Sequence, residues 1–482
     1  MPSKRPNVLW ICTDQHRYDA LGAAGNDVVE TPTLDALANS GVRFDRAYCQ
    51  SPVCTPSRAS MLTGRYPRTT RCRQNGQPIP RRERLVTTHL AEAGYRCALA
   101  GKFHLSPTNP DDATDATARE PVRPVDDGYG TAHWSASPGD DAPENEYRQW
   151  LRGQGERFDP SPYEGSPYVE TSQPTERHHT TWCTDRAIEY VRTAADTDDP
   201  WLCSLNYFDP HHPFDPPRAS LERYLDREIE TPNFDPGELD GKPAVQREAA
   251  TSGRLEGANL TDDEHRLVRA AYYAMIDHVD DNVARLLNAL AETGQREDTF
   301  VVFCADHGEM LGDHGIYKKG PYFYEPTVRV PLVVSWPGQV REGRVVDDLV
   351  ELTDLAPTIL DAAGQEHPPG MQGRSLWPLL TGGDTERERP HRESAYCEFY
   401  NASKRHTDPP AYATMLRTER YKLVRHHGPE DGELYDLERD PEERVNRWGD
   451  PDYTSVQQEL VTRLTDRMAR TVDPLPERRG HW

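Results

Sequence analysis

The sequence predicts an α/β fold: a mostly parallel central sheet flanked by helices, then a small α+β unit with a short antiparallel sheet. Three observations predict it. Four apolar, strand-like runs each end in polar, chemically capable residues; helical periodicity falls between them; and after about residue 385 the texture changes to short strand-like pieces. Parallel sheets bind ligands beyond the carboxyl ends of their strands, so four polar strand ends from distant sequence predict one crevice.

The first run, "VLWICTDQ" (8–15), ends in Asp14-Gln15. A helix is expected from Thr31-Pro32, with Leu34, Leu37 and Ala38 on one face and Gly41 closing it. In "SPVCTPSRASMLTGRYP" (51–67), Thr55-Pro56 reads as an N-cap and first-turn pair, with the helix running to Gly64. Cys54 then sits at a helix N-terminus, where backbone N–H groups and the macrodipole favour an anion, and Arg58 adds a charge one turn inside. "RCALAGKFH" (96–104) ends in Lys102 and His104, "PWLCSLNYFDPHHPF" (200–214) ends near His211, and "DTFVVFCADHGE" (298–309) ends in Asp306-His307.

The clearest helix spans about 261–293, opened by a capping box of Thr261 and Glu264. Its apolar stripe is Val268, Tyr272, Met275, Val279, Val283, Leu286 and Leu290, before Gly294. Residues 105–180 and 215–258 are poor in apolar residues and read as long surface excursions. "ATMLRTERYKLVRH" and "GELYDLERDPEERVN" mark the C-terminal unit, giving expected domains of 1–385 and 386–482.

A net charge of −24 argues against a nucleic-acid partner. Only seven of the 56 Lys and Arg residues are lysine, which fits either a high-salt surface or the bias of a GC-rich genome. No apolar run approaches the roughly 18 residues of a membrane-spanning helix. The N-terminus lacks signal-peptide architecture, so the expected location is cytoplasmic. Nine cysteines without a C-x-x-C pair read as reduced thiols, with Cys12, Cys203 and Cys304 in apolar runs as core residues.

Asp14, Gln15, Asp306 and His307 offer three oxygen donors and an imidazole, a set that suits calcium, magnesium or manganese. Lys102, Lys318 and Lys319 are three of the seven lysines, and all lie just past strand ends. Cations gathered there in so acidic a chain imply an anionic ligand, although Lys318 also reads as a solvated turn. His211, on a proline-fixed loop, is a natural proton carrier. Cysteine and arginine with three residues between them do not make a thiol-phosphatase loop, so Cys54 is left open between buried thiol and reactive group.

"CTPSRASMLTGRYP" resembles the signature of the type I sulfatases, in the alkaline phosphatase-like superfamily. Cys54, Pro56 and Arg58 meet its Cys-x-Pro-x-Arg kernel. "NVLWICTDQ", "GKFH", "PHHPF", "DHGEMLGDHGIYKKGPYFYEPTVRVPL" and "LYDLERDPEERVN" follow the family in order, so the resemblance covers nearly the whole chain. It implies an alkaline phosphatase-like fold and hydrolysis of a small-molecule or saccharide sulfate ester. It also implies that a formylglycine-generating enzyme oxidises Cys54 to formylglycine (3-oxoalanine). One hydroxyl of the hydrated aldehyde would attack sulfur, and deprotonation of the other would then expel sulfate.

By the same resemblance, Asp14, Gln15, Asp306, His307 and position 54 hold the metal, Ca2+ first, with Mn2+ or Mg2+ open. Arg58, Lys102 and Lys319 hold the charge of the hydrate and the sulfate. His104 resembles the base, His211 the group that assists the departing alcohol, and Asn75 in "RQNGQ" an active-site amide. Many sulfatases carry Asp-Asp and Asp-Asn where this chain has Asp14-Gln15 and Asp306-His307. Both variants occur in the superfamily, including in phosphonate and phosphate ester hydrolases. A phosphonate monoester or phosphodiester hydrolase is therefore one alternative; an inert anion-binding protein with unconverted Cys54 is another. Trp134, Tyr163 and Trp182 either stack on a substrate ring or pack internally.

Overall fold

Alternation along β1 (Asn7–Thr13) defines the layers: Val8, Trp10 and Cys12 face one core, Leu9 and Ile11 the other. The structure is a computed structural model describing residues 5–107, 123, 126–251, 259–382, 389–402, 411–428 and 431–476. The strands that follow are β2 (Val42–Tyr48), β3 (Arg96–Gly101), β4 (Thr131–Trp134), the short pair β5 (Ser161–Pro162) and β6 (Glu170–Thr171), and β7 (Trp201–Asn206). Next come β8 (Thr299–Ala305), β9 (Arg329–Val330), β10 (Leu332–Ser335) and β11 (Arg344–Glu351).

The main sheet has the order β11-β2-β10-β8-β1-β7-β3-β4, with β9 on β2. Only β10 and β9 run against the rest, each pairing antiparallel with its neighbours. The four strands whose ends carry the candidate residues (β8, β1, β7 and β3) are therefore adjacent and parallel. Register aligns Thr13 with Ala305 and Gly101 with Asn206, so their polar continuations emerge side by side.

Both faces are covered by helices. Ala59, Met61 and Leu62 of the helix Cys54–Thr63 and Ile359 and Leu360 of the helix Leu355–Ala362 close one core. The helices His179–Ala194 and Asp262–Glu292 close the other. The long helix has the expected capping box, and every residue of its expected stripe is buried, each such side chain contributing roughly 1.5–3 kcal/mol. Asp280 on that helix accepts the N–H groups of Thr33 and Leu34 at 3.0 and 2.8 Å, capping the helix Pro32–Asn39. Thr31 makes no capping bond there.

β12 (Ala395–Tyr400), β13 (Tyr412–Arg417), β14 (Tyr421–His426) and β15 (Asp431–Asp436) form a separate antiparallel sheet. Cys397, Phe399, Met415 and Val424 join the main core, while Tyr396, Leu416, Leu423 and Leu434 pack on Leu460 and Leu464 of the helix Thr454–Arg470.

The expected excursions are only partly loop. β4 extends the main sheet, and Tyr147 and Leu151 of the helix Glu146–Gly153 are fully buried against the second core. Trp134, Tyr163 and Trp182 are buried and pack internally, so none presents a free ring face. Residues 108–122, 124–125, 252–258, 386–388, 403–410, 429–430 and 477–482 of the expected segments lie outside the described residues. No described helix is long and apolar enough to cross a membrane.

Candidate active site

Two glycines let the strand ends converge. Gly101 has φ +96°, and a Cβ there would stand 2.1 Å from the Asn206 carbonyl oxygen. A Cβ on Gly308 would stand 1.9 Å from that of Pro326. Only glycine allows both approaches. Past them, Lys102 turns inward from β3, and the segment after β8 folds back across the sheet end.

The helix at the signature begins two residues earlier than expected. Cys54 is its first residue, Val53 is the N-cap, and the Thr55 hydroxyl has no hydrogen-bond partner among the described residues. The capping acceptor comes from afar: Asn75 Oδ1 accepts the Thr55 N–H at 3.0 Å. Local sequence rules favoured Thr55 because they cannot see a residue twenty positions away.

Cys54 is 1% exposed and ringed by functional groups. Lys319 Nζ lies 2.9 Å from its sulfur, His307 Nε2 3.2 Å and Asp14 Oδ1 3.6 Å. His104 and His211 also hydrogen-bond the thiol. Burial opposes ionisation of the thiol, but Lys319, Lys102 and His307 outweigh it and hold Cys54 well below the ordinary thiol range. The site is built to stabilise negative charge at position 54.

Arg58 Nε donates to Asp306 Oδ2 at 2.8 Å and Nη2 to Asp14 Oδ2 at 3.3 Å, so its guanidinium serves the two carboxylates. Lys102 Nζ is 2.6 Å from Asp14 Oδ2 and 5.0 Å from the centre of the Phe208 ring. Burial and the neighbouring Cys54 disfavour charge on Asp14, yet Lys102 and Lys319 hold it well below the usual carboxylate range.

Asp14, Cys54, Asp306 and His307 are all buried, and one ligand atom from each lies within 4.8 Å of the others. Gln15 adds an amide oxygen, Oε1, that is buried with no hydrogen-bond partner among the described residues. His307 Nδ1 donates to the Gly308 carbonyl at 2.9 Å, which turns Nε2 toward the cluster. Burial disfavours charge on His307, but Asp306 raises it to about 9, as expected of a place made for positive charge. Oxygen donors with one imidazole fit a hard divalent cation.

His104 is half-buried with a left-handed φ of 58°, and its Nδ1 has no partner among the described residues. Burial and Lys102 lower its pKa, keeping the ring neutral. His211 Nδ1 donates to the His212 carbonyl, and burial with Lys319 lowers its pKa to about 4.

Across 6–365 the chain matches the Sulfatase family model, and across 312–470 that of the N-sulphoglucosamine sulphohydrolase C-terminal region. The chain belongs to the sulfatase family. The N-acetylglucosamine-6-O-sulfatase of Bacteroides thetaiotaomicron is 27% identical over 98% of this chain and 88% of its own. The multifunctional alkaline phosphatase superfamily protein PehA of Trinickia caryophylli is 32% identical over 94% and 93%. The phosphonate monoester hydrolase of Agrobacterium radiobacter superposes with a TM-score of 0.84 at 28% identity, covering 98% of this chain and 97% of its own.

Within this sulfatase-family site, Asp14, Gln15, Cys54, Arg58, Lys102, His104, His211, Asp306, His307 and Lys319 lie together, with Asn75 at the helix start beside Cys54. Lys318 is half-buried and fixed through its backbone at φ 70°, not a free turn. Two participants escaped the sequence reading. His212 stacks on His211 with ring centres 4.2 Å apart and lies 3.0 Å from Gln15 Nε2. Glu309 is fully buried against Gln15. Both sit inside motifs already singled out, next to residues with clearer chemistry.

Proposed function

We propose that the chain hydrolyses sulfate esters, releasing sulfate and an alcohol, with position 54 in its formylglycine form. The observation that supports this most is the ring of Lys319, His104, His211 and His307 around a buried Cys54 at a helix N-terminus. Oxidised to formylglycine, position 54 offers a hydrated aldehyde, one hydroxyl for attack on sulfur and one for the elimination that frees the enzyme. A divalent cation held by Asp14, Gln15, Asp306 and His307 would acidify that hydrate and draw charge from the sulfate oxygens. Ca2+ is the first choice for so oxygen-rich a donor set, ahead of Mn2+ and Mg2+.

The chain's own residues divide the remaining work. Lys319 and Lys102 counter the negative charge, with Arg58 fixing the two carboxylates behind it. An anionic sulfate beside Lys319 offsets the repulsion that lowers His211, so the ring can gain a proton and pass it to the departing alkoxide as the S–O bond breaks. Neutral His104 is poised to accept the proton whose removal expels sulfate. A cavity of about 140 Å³, lined in part by Tyr168, Glu170, His212, Phe214 and Lys318, includes the chain neighbours of His211 and Lys319 in its wall. It matches one six-membered ring and suits a saccharide or aryl alcohol.

On this reading residues 1–385 form the catalytic unit and 386–482 its C-terminal subdomain. A formylglycine-generating enzyme is the necessary maturation partner. Nine unpaired cysteines suit a reducing, cytoplasmic setting. Phosphonate monoester hydrolysis is the second reading, favoured by the pairs Asp14-Gln15 and Asp306-His307 together with the similarity to the Agrobacterium enzyme. Lys102 and His104, which follow the sulfatase pattern, weigh against it. If Cys54 stays a thiol, the same cations make an inert anion-binding site.

The test is to produce the chain with a formylglycine-generating enzyme and measure the mass of the peptide containing residue 54, alongside aryl sulfate turnover. An aldehyde at 54, activity lost in Cys54→Ala and activity removed by chelation are expected. Full activity in Cys54→Ala would overturn the reading.

A further inference from the structure

Glu309 is fully buried, and both of its carboxylate oxygens are committed. Oε1 accepts the backbone N–H of Leu311 at 3.0 Å and that of Lys318; Oε2 accepts the amide Nε2 of Gln15.

With Oε1 accepting two backbone N–H groups and Oε2 accepting Gln15 Nε2, Glu309 dictates which end of the Gln15 amide faces it. The NH2 group turns to Glu309, with His212 Nδ1 at 3.0 Å as a further neighbour, and the carbonyl oxygen must point the other way. That oxygen is the buried, unpartnered Oε1. The Gln15 backbone cannot swing to compensate. It is held at φ 67°, its carbonyl accepts the Tyr272 hydroxyl at 2.8 Å, and its N–H donates to Asp306 Oδ1 at 3.2 Å. Leaving a buried amide oxygen unpaired is costly, and a cation ligand would offset that cost.

The other oxygen acts across the site. By fixing the N–H of Lys318, Glu309 anchors the segment one residue before Lys319, whose Nζ meets Cys54. We propose that Glu309 is a positioning residue that aims the Gln15 oxygen at the cation and holds the Lys319 segment against position 54. It rests on the metal assignment made above and is tested separately from it.

The test is calorimetric titration of Ca2+ and of Mn2+ into the full chain in its thiol form, where neither maturation nor turnover enters. Glu309→Gln should weaken cation binding by about 10–100-fold, as removing a ligand's orienting partner does. The reciprocal double variant Gln15→Glu with Glu309→Gln restores one donor facing one acceptor and should regain most of the affinity. A parent chain that binds neither cation overturns the metal assignment. A binding parent whose Glu309→Gln variant stays within about twofold overturns the role of Glu309. If that single variant fails to fold, the double decides: folded and binding supports the proposal, while unfolded or non-binding makes Glu309 mere scaffold and overturns it.

Discussion

Lys319 Nζ and Cys54 Sγ stand 2.9 Å apart although 265 residues separate them in the chain. On the proposed reading, the contact places a fixed positive charge where negative charge develops on the nucleophile and the sulfate. Lys319→Met should lower kcat/KM by about 10²–10³-fold, the loss typical of one preorganised electrostatic donor. The melting temperature should fall modestly, since buried Asp14 loses one of its cationic partners while Lys102 and Arg58 remain. Steady-state kinetics beside thermal unfolding checks both.

His104 faces the same atom from the strand-end side, and its neutral form is the one favoured by burial and by Lys102. If His104 is the base, as proposed, it is ready below the ordinary histidine pKa, and the acid limb of kcat/KM should fall below pH 6.5. In His104→Ala, alcohol should appear once per enzyme and then stall, because sulfate release lacks its base. Rapid-mixing measurement of alcohol and sulfate separately checks this; equal steady rates for the two products would exclude the role.

How far the sequence revealed this site depends on the range of each interaction. Asp14, Lys102, His211 and Asp306 were legible because strand ends in a parallel sheet must converge, and the register of β1 with β8 and of β3 with β7 brings them together. The buried stripe from Val268 to Leu290 was legible for the same reason: its periodicity is local. The caps were not. Thr31 and Thr55 have the right chemistry at the right place, yet Asp280 and Asn75 do the capping across the fold. Glu309 was hidden among 80 acidic residues, since only the folded chain distinguishes a buried carboxylate from a solvated one. Trp134 and Trp182 could be read as stacking or packing until burial decided it.

A net charge of −24 with few lysines also predicts salt-dependent stability. Raising ionic strength from dilute buffer to 1 M KCl shortens the Debye length to about 3 Å and relaxes self-repulsion. The melting temperature should rise accordingly, by several degrees. Differential scanning calorimetry across that range checks it, and a midpoint indifferent to salt would leave the composition as genomic bias.

The central claim is that this site acts on sulfate rather than phosphonate esters. Sulfate monoesters and phosphonate monoesters both carry one negative charge near neutral pH, so charge alone does not separate them. On the proposed reading, the discriminating feature is Lys102 with His104, a base and its neighbouring cation at position 54. The decisive measurement is kcat/KM of the converted, metal-loaded enzyme for an aryl sulfate and for the aryl phosphonate with the same leaving group. The account predicts the larger value for the sulfate, with the preference lost in His104→Ala. A larger value for the phosphonate, together with free turnover in His104→Ala, would contradict it.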